Sequence, residues 1–378
     1  MTYESAPKEI SIVSCETSQN MNDLKLEDIA KLAGVSRSTV SRVVNASPNV
    51  GAATRKRVEK VIQNTGYHPN AAARSLASQR TNMIGLVIPR TTSAFFTDPY
   101  FPHLTQGVAF ACNNHHMTLS LFLVGNQEDE NEITPRLLRR GLLDGFLLQS
   151  GNSDDMLFRR LISSQVPLLV LGRPFEEKSV NYIDVDNISA AKSAVSHLIK
   201  LGYQRIGMIT GAIRSTTSID RETGFRQAMA EAGREIDPTL IAEGDFSESS
   251  GYLAMKKLLP LRPDAIFAQS DVMAIGAMRA VQEAGLQIPG DVAFVGFDDL
   301  PIASTLPIKL TTVHQPITHF GIKAVDLLLD MIEKGTKPAK RMILDTELII
   351  RDTCGGKSVN RPTDQGAEME GSALKKPA

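Results

Sequence analysis

The stretch Val35–Asn45 reads V-S-R-S-T-V-S-R-V-V-N and follows L-E-D-I-A-K-L-A-G at 26–34. The apolar residues of the earlier run recur at helical spacing, which predicts a helix over 26–33 with Leu26, Ile29, Ala30 and Leu32 facing inward. Ala30 is small where two helices must approach, Gly34 supplies the positive φ of a sharp turn, and Val40 returns to the same core. Ser36 is placed to cap a second helix, whose outer face carries Ser36, Arg37, Ser38, Ser41 and Arg42. A third helix from Thr54 to Asn64 brings Val58, Val61 and Ile62 into a trihelical core and ends at Gly66. The second helix then presents its first residues to a DNA major groove: Arg37 has the fork for a bidentate bond to guanine, and Ser38 can bond several bases. The plainer reading, a solvated polar helix face, uses the same residues but predicts no preference among bases.

Charge separates this head from the rest of the chain. Between Leu24 and Arg80 ten Lys or Arg stand against three acidic residues, a balance of +7 that leaves −8 for the remainder of a chain whose net charge is −1. A basic head on an acidic body fits a polyanion-binding module fused to a module of another kind. At 378 residues the chain has room for a small domain and a larger, two-lobed one. Its first residues lack the pattern of a secretion signal, and no apolar run reaches the length of a membrane span. Cys15, Cys112 and Cys354 are scattered without a C-x-x-C pair, against a zinc site or disulfide framework; a cytoplasmic location is expected. Residues 1–23 are polar and turn-rich, read as a disordered extension, with Met21 as an alternative start.

After the third helix comes G-Y-H-P-N-A-A-A-R-S-L-A at 66–77, a helix of about two turns at most, marginal without a partner. With V-S-x-x-T-V-S-R-V-V-N, T-R-x-R-V, G-Y-x-P-N and x-A-R-S-L all present, the chain closely resembles the lactose repressor/galactose repressor (LacI/GalR) family of bacterial transcription regulators, and the resemblance continues to about Arg351. It implies base contacts by Arg37, Ser38 and Arg42 and phosphate contacts by Ser36, Thr39, Ser41 and Asn45. It further implies a hinge helix whose Leu76 enters the minor groove, with Ala73 small enough for close approach and Arg74 on phosphate. An exposed leucine there is otherwise a domain-contact residue. Gly51 stands where the family commonly has a hydroxyl cap, a difference of a few tenths of a kcal/mol.

From Asn82 short apolar runs alternate with helical stretches. Strands are expected at 84–88, 118–122, 145–148 and 167–171, then at 205–210, 264–268 and 292–297, with helices between. Such alternation implies parallel sheets covered by helices, and two successive sets imply two lobes. The resemblance supplies a periplasmic-binding-protein-like topology crossing between lobes near Val185, Gln315 and Leu344, with a helix at 317–333 returning to the first lobe. The expected organisation is a helix-turn-helix domain at 24–68, a hinge and linker at 69–81, a two-lobed α/β effector and dimerisation domain at 82–353, and a disordered tail at 354–378.

Ligands of open α/β sheets bind beyond the C-terminal strand ends. There the sequence offers D-P-Y-F (98–101), D-V-D-N (184–187), D-R-E-T-G-F (220–225), G-D-F (244–246), Q-S-D (269–271) and G-F-D-D (296–299). Hydroxyl-binding side chains beside aromatic faces suit a sugar or a similar polar molecule. By family position Arg221 and Asp298 are the main anchors; Asp98, Tyr100, Phe101, Asp186, Ser215, Thr217, Phe246 and Ser270 are further candidates, each as readily a cap or a core residue. The segment T-T-S-A-F-F-T-D-P-Y-F-P is longer than the usual family loop, and its Phe95 and Phe96 are expected either to enclose a larger glycoside or to pack into a dimer interface.

Two other classes share this scaffold. A transport-type sugar-binding protein has no use for residues 24–80 and requires export. An enzyme would need chemistry that is not in evidence: G-x-G-x-x-G, Walker A and G-x-S-x-G motifs are absent, and the seven histidines lack metal-ligand spacing. The reading is therefore an effector-controlled repressor, without cofactor or metal, acting as a homodimer or a dimer of dimers on pseudo-palindromic operator DNA. The tail lacks an apolar heptad, which argues against a C-terminal tetramer bundle.

Overall fold

The computed structural model describes residues 24–44, 47–67, 80–139, 141–149, 156–164, 166–175 and 180–355. They fall into two units divided after Thr81.

The first unit is trihelical: α1 (Leu26–Ala33), α2 (Arg37–Val44) and α3 (Ala52–Thr65). Gly34 turns the chain at φ 62°, and the Val35 N–H donates back to the Ala30 carbonyl at 3.0 Å. Ile29, Ala30, Ala33, Val40, Val43, Val58 and Tyr67 form the core. Leu32, expected inside, is 60% exposed. It sits roughly 110° round the helix from the face shared by Leu26, Ile29 and Ala30, and Ala33 takes the inward place instead. Helix α3 begins at Ala52, earlier than expected, on an N-cap Gly51 that contributes no side-chain bond. Asn45 and the hinge residues Ala73, Arg74 and Leu76 lie outside the described residues, as does the N-terminal extension.

The second unit has two lobes. The first runs β1 (Met83–Ile88), α4 (Thr92–Thr97), α5 (Tyr100–Asn114), β2 (Thr118–Leu123), α6 (Gln127–Leu137), β3 (Gly145–Gln149), α7 (Met156–Ile162), β4 (Leu168–Leu171) and β5 (Asn181–Val185). The second runs α8 (Asn187–Lys200), β6 (Ile206–Thr210), α9 (Thr216–Glu231), β7 (Ile241–Glu243), α10 (Glu248–Leu258), β8 (Ala265–Ala268), α11 (Asp271–Glu283), β9 (Ala293–Asp298), α12 (Pro301–Thr305) and β10 (Thr311–His314). The chain then returns through α13 (Ile317–Lys334) and β11 (Arg341–Leu344) to the first lobe, and β12 (Glu347–Ile349) closes the second.

Strand order is β11-β5-β4-β3-β1-β2 in one sheet and β12-β10-β9-β8-β6-β7 in the other. Every pairing is parallel except β10 with β12. Strands β4, β6 and β8 are buried along their whole length and β3 over all but its last residue, because helices cover both faces of a parallel sheet. The three crossings fall after Val185, at Gln315–Pro316 and between Leu344 and Glu347, where the resemblance placed them. The short edge strands β7, β11 and β12 escape sequence patterning because their apolar runs are too brief.

The glycine of R-x-x-G-F has a packing role. A Cβ on Gly224 would lie 2.2 Å from the Ile188 carbonyl oxygen, so α9 and α8 touch backbone to backbone there. The long loop after β1 folds into α4, capped by the Thr91 hydroxyl, which accepts from the Ala94 N–H at 3.2 Å. Phe95 is buried and stacks on Phe101 with ring centres 6.0 Å apart, joining the first-lobe core, while Phe96 stands exposed. Cys354, expected in the tail, belongs instead to the folded second lobe. Thr353 exchanges bonds with Phe294, its hydroxyl accepts from the Thr311 N–H at 2.9 Å, and Cys354 is buried in the second-lobe core. Residues 356–378 lie outside the described residues.

Candidate functional site

Both sheets direct the C-terminal ends of their strands at one cleft, of about 720 Å³ counting its open mouth. The first lobe supplies Arg90, Asp98, Tyr100 and Phe101 from the segment after β1, Gln149 from the end of β3, Gly172 after β4, and Phe320 from α13. The end of β5, the first residue of α8 and the crossing before α13 contribute Asp184, Asn187 and Gln315. The second lobe supplies Ser215, Thr217 and Arg221 around the start of α9, Phe246 after β7, Ser270 after β8 and Asp298 at the end of β9.

Arg221 is buried and held from several sides. Its Nε donates to Asn187 Oδ1 at 2.9 Å, its Nη1 donates to the Gln269 carbonyl at 2.5 Å, and its guanidinium lies 3.5 Å over the Phe297 ring. Asp298 Oδ1 is 3.8 Å from the same Nη1 and accepts from Gln315 Nε2 at 2.5 Å. Among the described residues Arg221 Nη2 has no hydrogen-bond partner, which leaves an oriented, charged edge of the fork for a ligand. Asp298 adopts φ 117° and Phe246 φ 73°. Backbone in this region is unfavourable for residues with a Cβ and tends to persist at sites where position matters more than ease of folding.

Burial governs the electrostatics. It pushes the Asp298 carboxyl up to about 7, although Arg221 pulls the other way. It pushes Asp184 up to about 6 against the hydrogen bonds from the Val185 and Arg173 N–H groups. Asp98 is raised and Arg90 lowered by the same desolvation, and each partly offsets the other. In the unfolded chain these carboxyls ionise near pH 4. Between there and pH 7 the folded protein holds the proton longer, so their contribution to stability is complete at low pH and fades as pH rises through 6 to 7. His197, whose pKa burial lowers, opposes this trend, so the comparison must be differential. Asp298→Asn, a neutral isostere of the protonated acid, should gain thermal stability relative to wild type as pH is raised from about 5 to about 8. Parallel melting curves across that range would refute this account of Asp298.

Of the expected effector residues, Arg221, Asp298, Asp98, Tyr100, Phe101, Ser215, Thr217, Phe246 and Ser270 all line this one cleft. Ser270 also caps α11, its hydroxyl accepting from the Met273 N–H at 3.2 Å. Asp186, expected among the effector residues, does not line the cleft. Its carboxylate accepts from the Ser189 N–H at 3.0 Å as the exposed N-cap of α8, and the neighbouring Asp184 and Asn187 face the cleft instead. D-V-D-N drew attention to the right place, but β5 ends at Val185, and that end decides which aspartate points inward. Arg90 was missed, though a charged residue just past a buried strand is a readable signal; Phe320, delivered by a returning helix, offers none. Neither Phe95 nor Phe96 lines the cleft.

In the first unit, the Ser36 hydroxyl accepts from the Thr39 N–H at 3.2 Å and shares hydrogen bonds with the Ser38 and Thr39 hydroxyls at 2.9 and 2.8 Å. Arg37, Ser38 and Arg42 are exposed on α2, while Thr39 and Ser41 are half-buried at its edge. Arg37 Nε pairs with Glu27 at 2.9 Å, an exposed ion pair of small net strength that leaves the guanidinium available.

Comparison with known proteins agrees with both parts. Residues 25–70 match the family described as bacterial regulatory proteins, lacI family, and residues 195–354 match a periplasmic binding protein-like domain. The chain is 38% identical over 332 residues to the HTH-type transcriptional regulator CelR of Thermobifida fusca, covering 87% of this chain and 97% of that protein. It is 35% identical over 334 residues to the ribose operon repressor of Escherichia coli K12, covering 86% and 98% of the two chains. Among solved structures, a CelR–cellobiose complex superposes with a TM-score of 0.70 at 35% identity, covering 87% of this chain and 99% of that one. The lac repressor dimer bound to operator and the anti-inducer ONPF gives 0.76 at 28% identity, with 88% and 99% covered. Among the described residues no helix is long and apolar enough to cross a membrane. The chain therefore belongs to the lacI family of bacterial regulatory proteins: it is a DNA-binding transcriptional regulator with an effector-binding domain, and not an enzyme.

Proposed function

We propose that the protein is a repressor whose affinity for a pseudo-palindromic operator is set by a sugar bound between the lobes of its second unit. One observation carries the ligand class: Arg221 and Asp298 form a fixed donor and acceptor pair in a cleft with further carboxylates and the aromatic faces of Tyr100, Phe101, Phe246 and Phe320. Hydroxyl groups satisfy both halves of such a pair, and ring C–H faces cover the aromatics. The CelR complex with cellobiose favours the same class. A homodimer sets two copies of α2 about 34 Å apart in successive major grooves, and this spacing makes the operator a pseudo-palindrome. Sugar binding changes the angle between lobes and thereby the state of the hinge residues Ala73, Arg74 and Leu76. A coupling of about 1–3 kcal/mol is enough for control.

A thermal-shift panel of mono- and disaccharides against purines tests the ligand class. A rise in melting temperature with a sugar and none with purines is the expected result; the reverse pattern would overturn the sugar assignment.

On the DNA side, Arg37 and Ser38, with Arg42, read bases, while Ser36, Thr39, Ser41 and Asn45 hold phosphate. Arg37→Ala should weaken operator binding by about 1–3 kcal/mol and remove discrimination at one base position. Competition between the operator and its single-base variants measures this. An equal loss on operator and random DNA would assign Arg37 to phosphate instead.

A further inference from the structure

Arg173 lies just beyond β4 in the first lobe, and its side chain reaches into the second. Its Nε donates to Asp220 Oδ2 at 2.8 Å and its Nη2 donates to Asp220 Oδ1 at 2.6 Å, a bidentate pair with a nearly buried carboxylate on α9. From the same helix the Thr216 hydroxyl donates to the Arg173 carbonyl at 2.6 Å. Three hydrogen bonds thus cross between the lobes through one residue. The Arg173 N–H meanwhile donates to Asp184 Oδ2 at 2.8 Å, Asp184 Oδ1 accepts from Asn187 Nδ2 at 3.1 Å, and Asn187 Oδ1 accepts from Arg221 Nε at 2.9 Å. An unbroken chain of hydrogen bonds therefore runs from the lobe-to-lobe ion pair to the effector anchor.

We infer that Arg173 is the closure latch of the cleft: its guanidinium holds Asp220 across the lobes, and its backbone N–H keeps Asp184 and Asn187 in register with Arg221. The inference rests on the cleft being the effector site only for its effect on binding; the effect on lobe spacing stands apart. Arg173 is a positioning residue. Bidentate geometry matters because a planar fork fixes both the distance and the angle between the elements it joins. Losing the guanidinium leaves the Asp220 carboxylate buried without its counter-charge, and opening the lobes to admit water relieves it. Asp220 also neighbours Arg221 in sequence, so a change in the lobe angle moves the anchor directly.

The test uses the full chain with Cys15→Ser, spin-labelled at Asn131→Cys on α6 and Lys256→Cys on α10, both exposed; Cys112 and Cys354 are buried and escape the label. Without any sugar, the inter-label distance distribution should shift to longer values in Arg173→Ala and in Asp220→Ala, with no additional shift in the double variant. Arg173→Lys, which keeps the charge and one bond, should restore most of the short-distance population. Unchanged distributions in folded single variants, or shifts that simply add in the double variant, would overturn the latch. Circular dichroism confirms that each variant is folded. In a second arm, cellobiose titrated into wild type and Arg173→Ala should bind about tenfold more weakly to the variant; equal affinity would overturn the link to the anchor. Should wild type bind no sugar in the panel above, the effector assignment fails while the distance measurement still decides the latch.

Discussion

Arg221→Gln is expected to abolish the response of operator binding to effector while leaving operator binding itself intact. The guanidinium is buried, fixed by Asn187, the Gln269 carbonyl and the Phe297 face, and the Asp298 carboxylate stands 3.8 Å away. Glutamine occupies similar space with one amide donor and no charge. Each lost hydrogen bond from a charged group is worth about 1.5–3 kcal/mol, so effector affinity should fall by roughly 100-fold or more. The charge also compensates the buried acids Asp184 and Asp298, so its loss drives both toward the protonated form. Calorimetry with a sugar that binds wild type measures the loss. Retention of affinity within about threefold of wild type would remove Arg221 from the role of anchor.

The second large effect concerns the scaffold. Helices α5 and α13 cross at Gly107, where an added Cβ would lie 2.0 Å from the Thr318 carbonyl oxygen. Gly321 makes the reciprocal approach, its Cβ position 2.6 Å from the Leu104 carbonyl oxygen. A side chain there meets backbone, which cannot turn aside as a rotamer can. Helix α13 is also fixed at both ends, since it leaves one crossing and leads to the next. Gly107→Val should therefore destabilise the second unit by about 3 kcal/mol or more and lower its melting temperature by roughly 10 °C. A melting temperature within about 2 °C of wild type would mean that the two helices can separate freely. Because Thr318 is followed closely by Phe320 on the cleft wall, weakened effector binding is expected alongside.

How much of this was legible in the sequence depended on distance along the chain. The trihelical head is local: Gly34 and the cap Ser36 lie within a few residues of what they touch, Val40 meets α1 across a single turn, and the helices emerged close to their expected limits. The one interior residue misplaced, Leu32, failed because helical spacing alone does not fix where the inward face ends. Strands β1, β2, β3, β4, β6, β8 and β9 were readable as apolar runs while β5 and β10, with polar residues in theirs, were not, and the motif residues Arg221 and Asp298 led to the cleft. What could not be read were the groups delivered by long-range topology. Phe320 comes from a helix returning across the lobes, Gln315 from a crossover, and Asp184 rather than Asp186 from the end point of a strand. Arg173 belongs to the same class, because nothing near it in sequence announces that Asp220 lies opposite. The extra loop after β1 was visible as an insertion, yet its fold, a capped helix burying Phe95, depends on Phe101 waiting beneath it.

The central claim is that occupancy of the cleft sets the affinity of α2 and its partners for DNA. The direct measurement is an anisotropy titration of labelled pseudo-palindromic operator with the full-length protein, with and without a saturating sugar whose binding calorimetry has established. The operator dissociation constant is predicted to change at least about fivefold, the lower end of ordinary allosteric coupling. Superimposable titration curves with the sugar demonstrably bound would contradict the account.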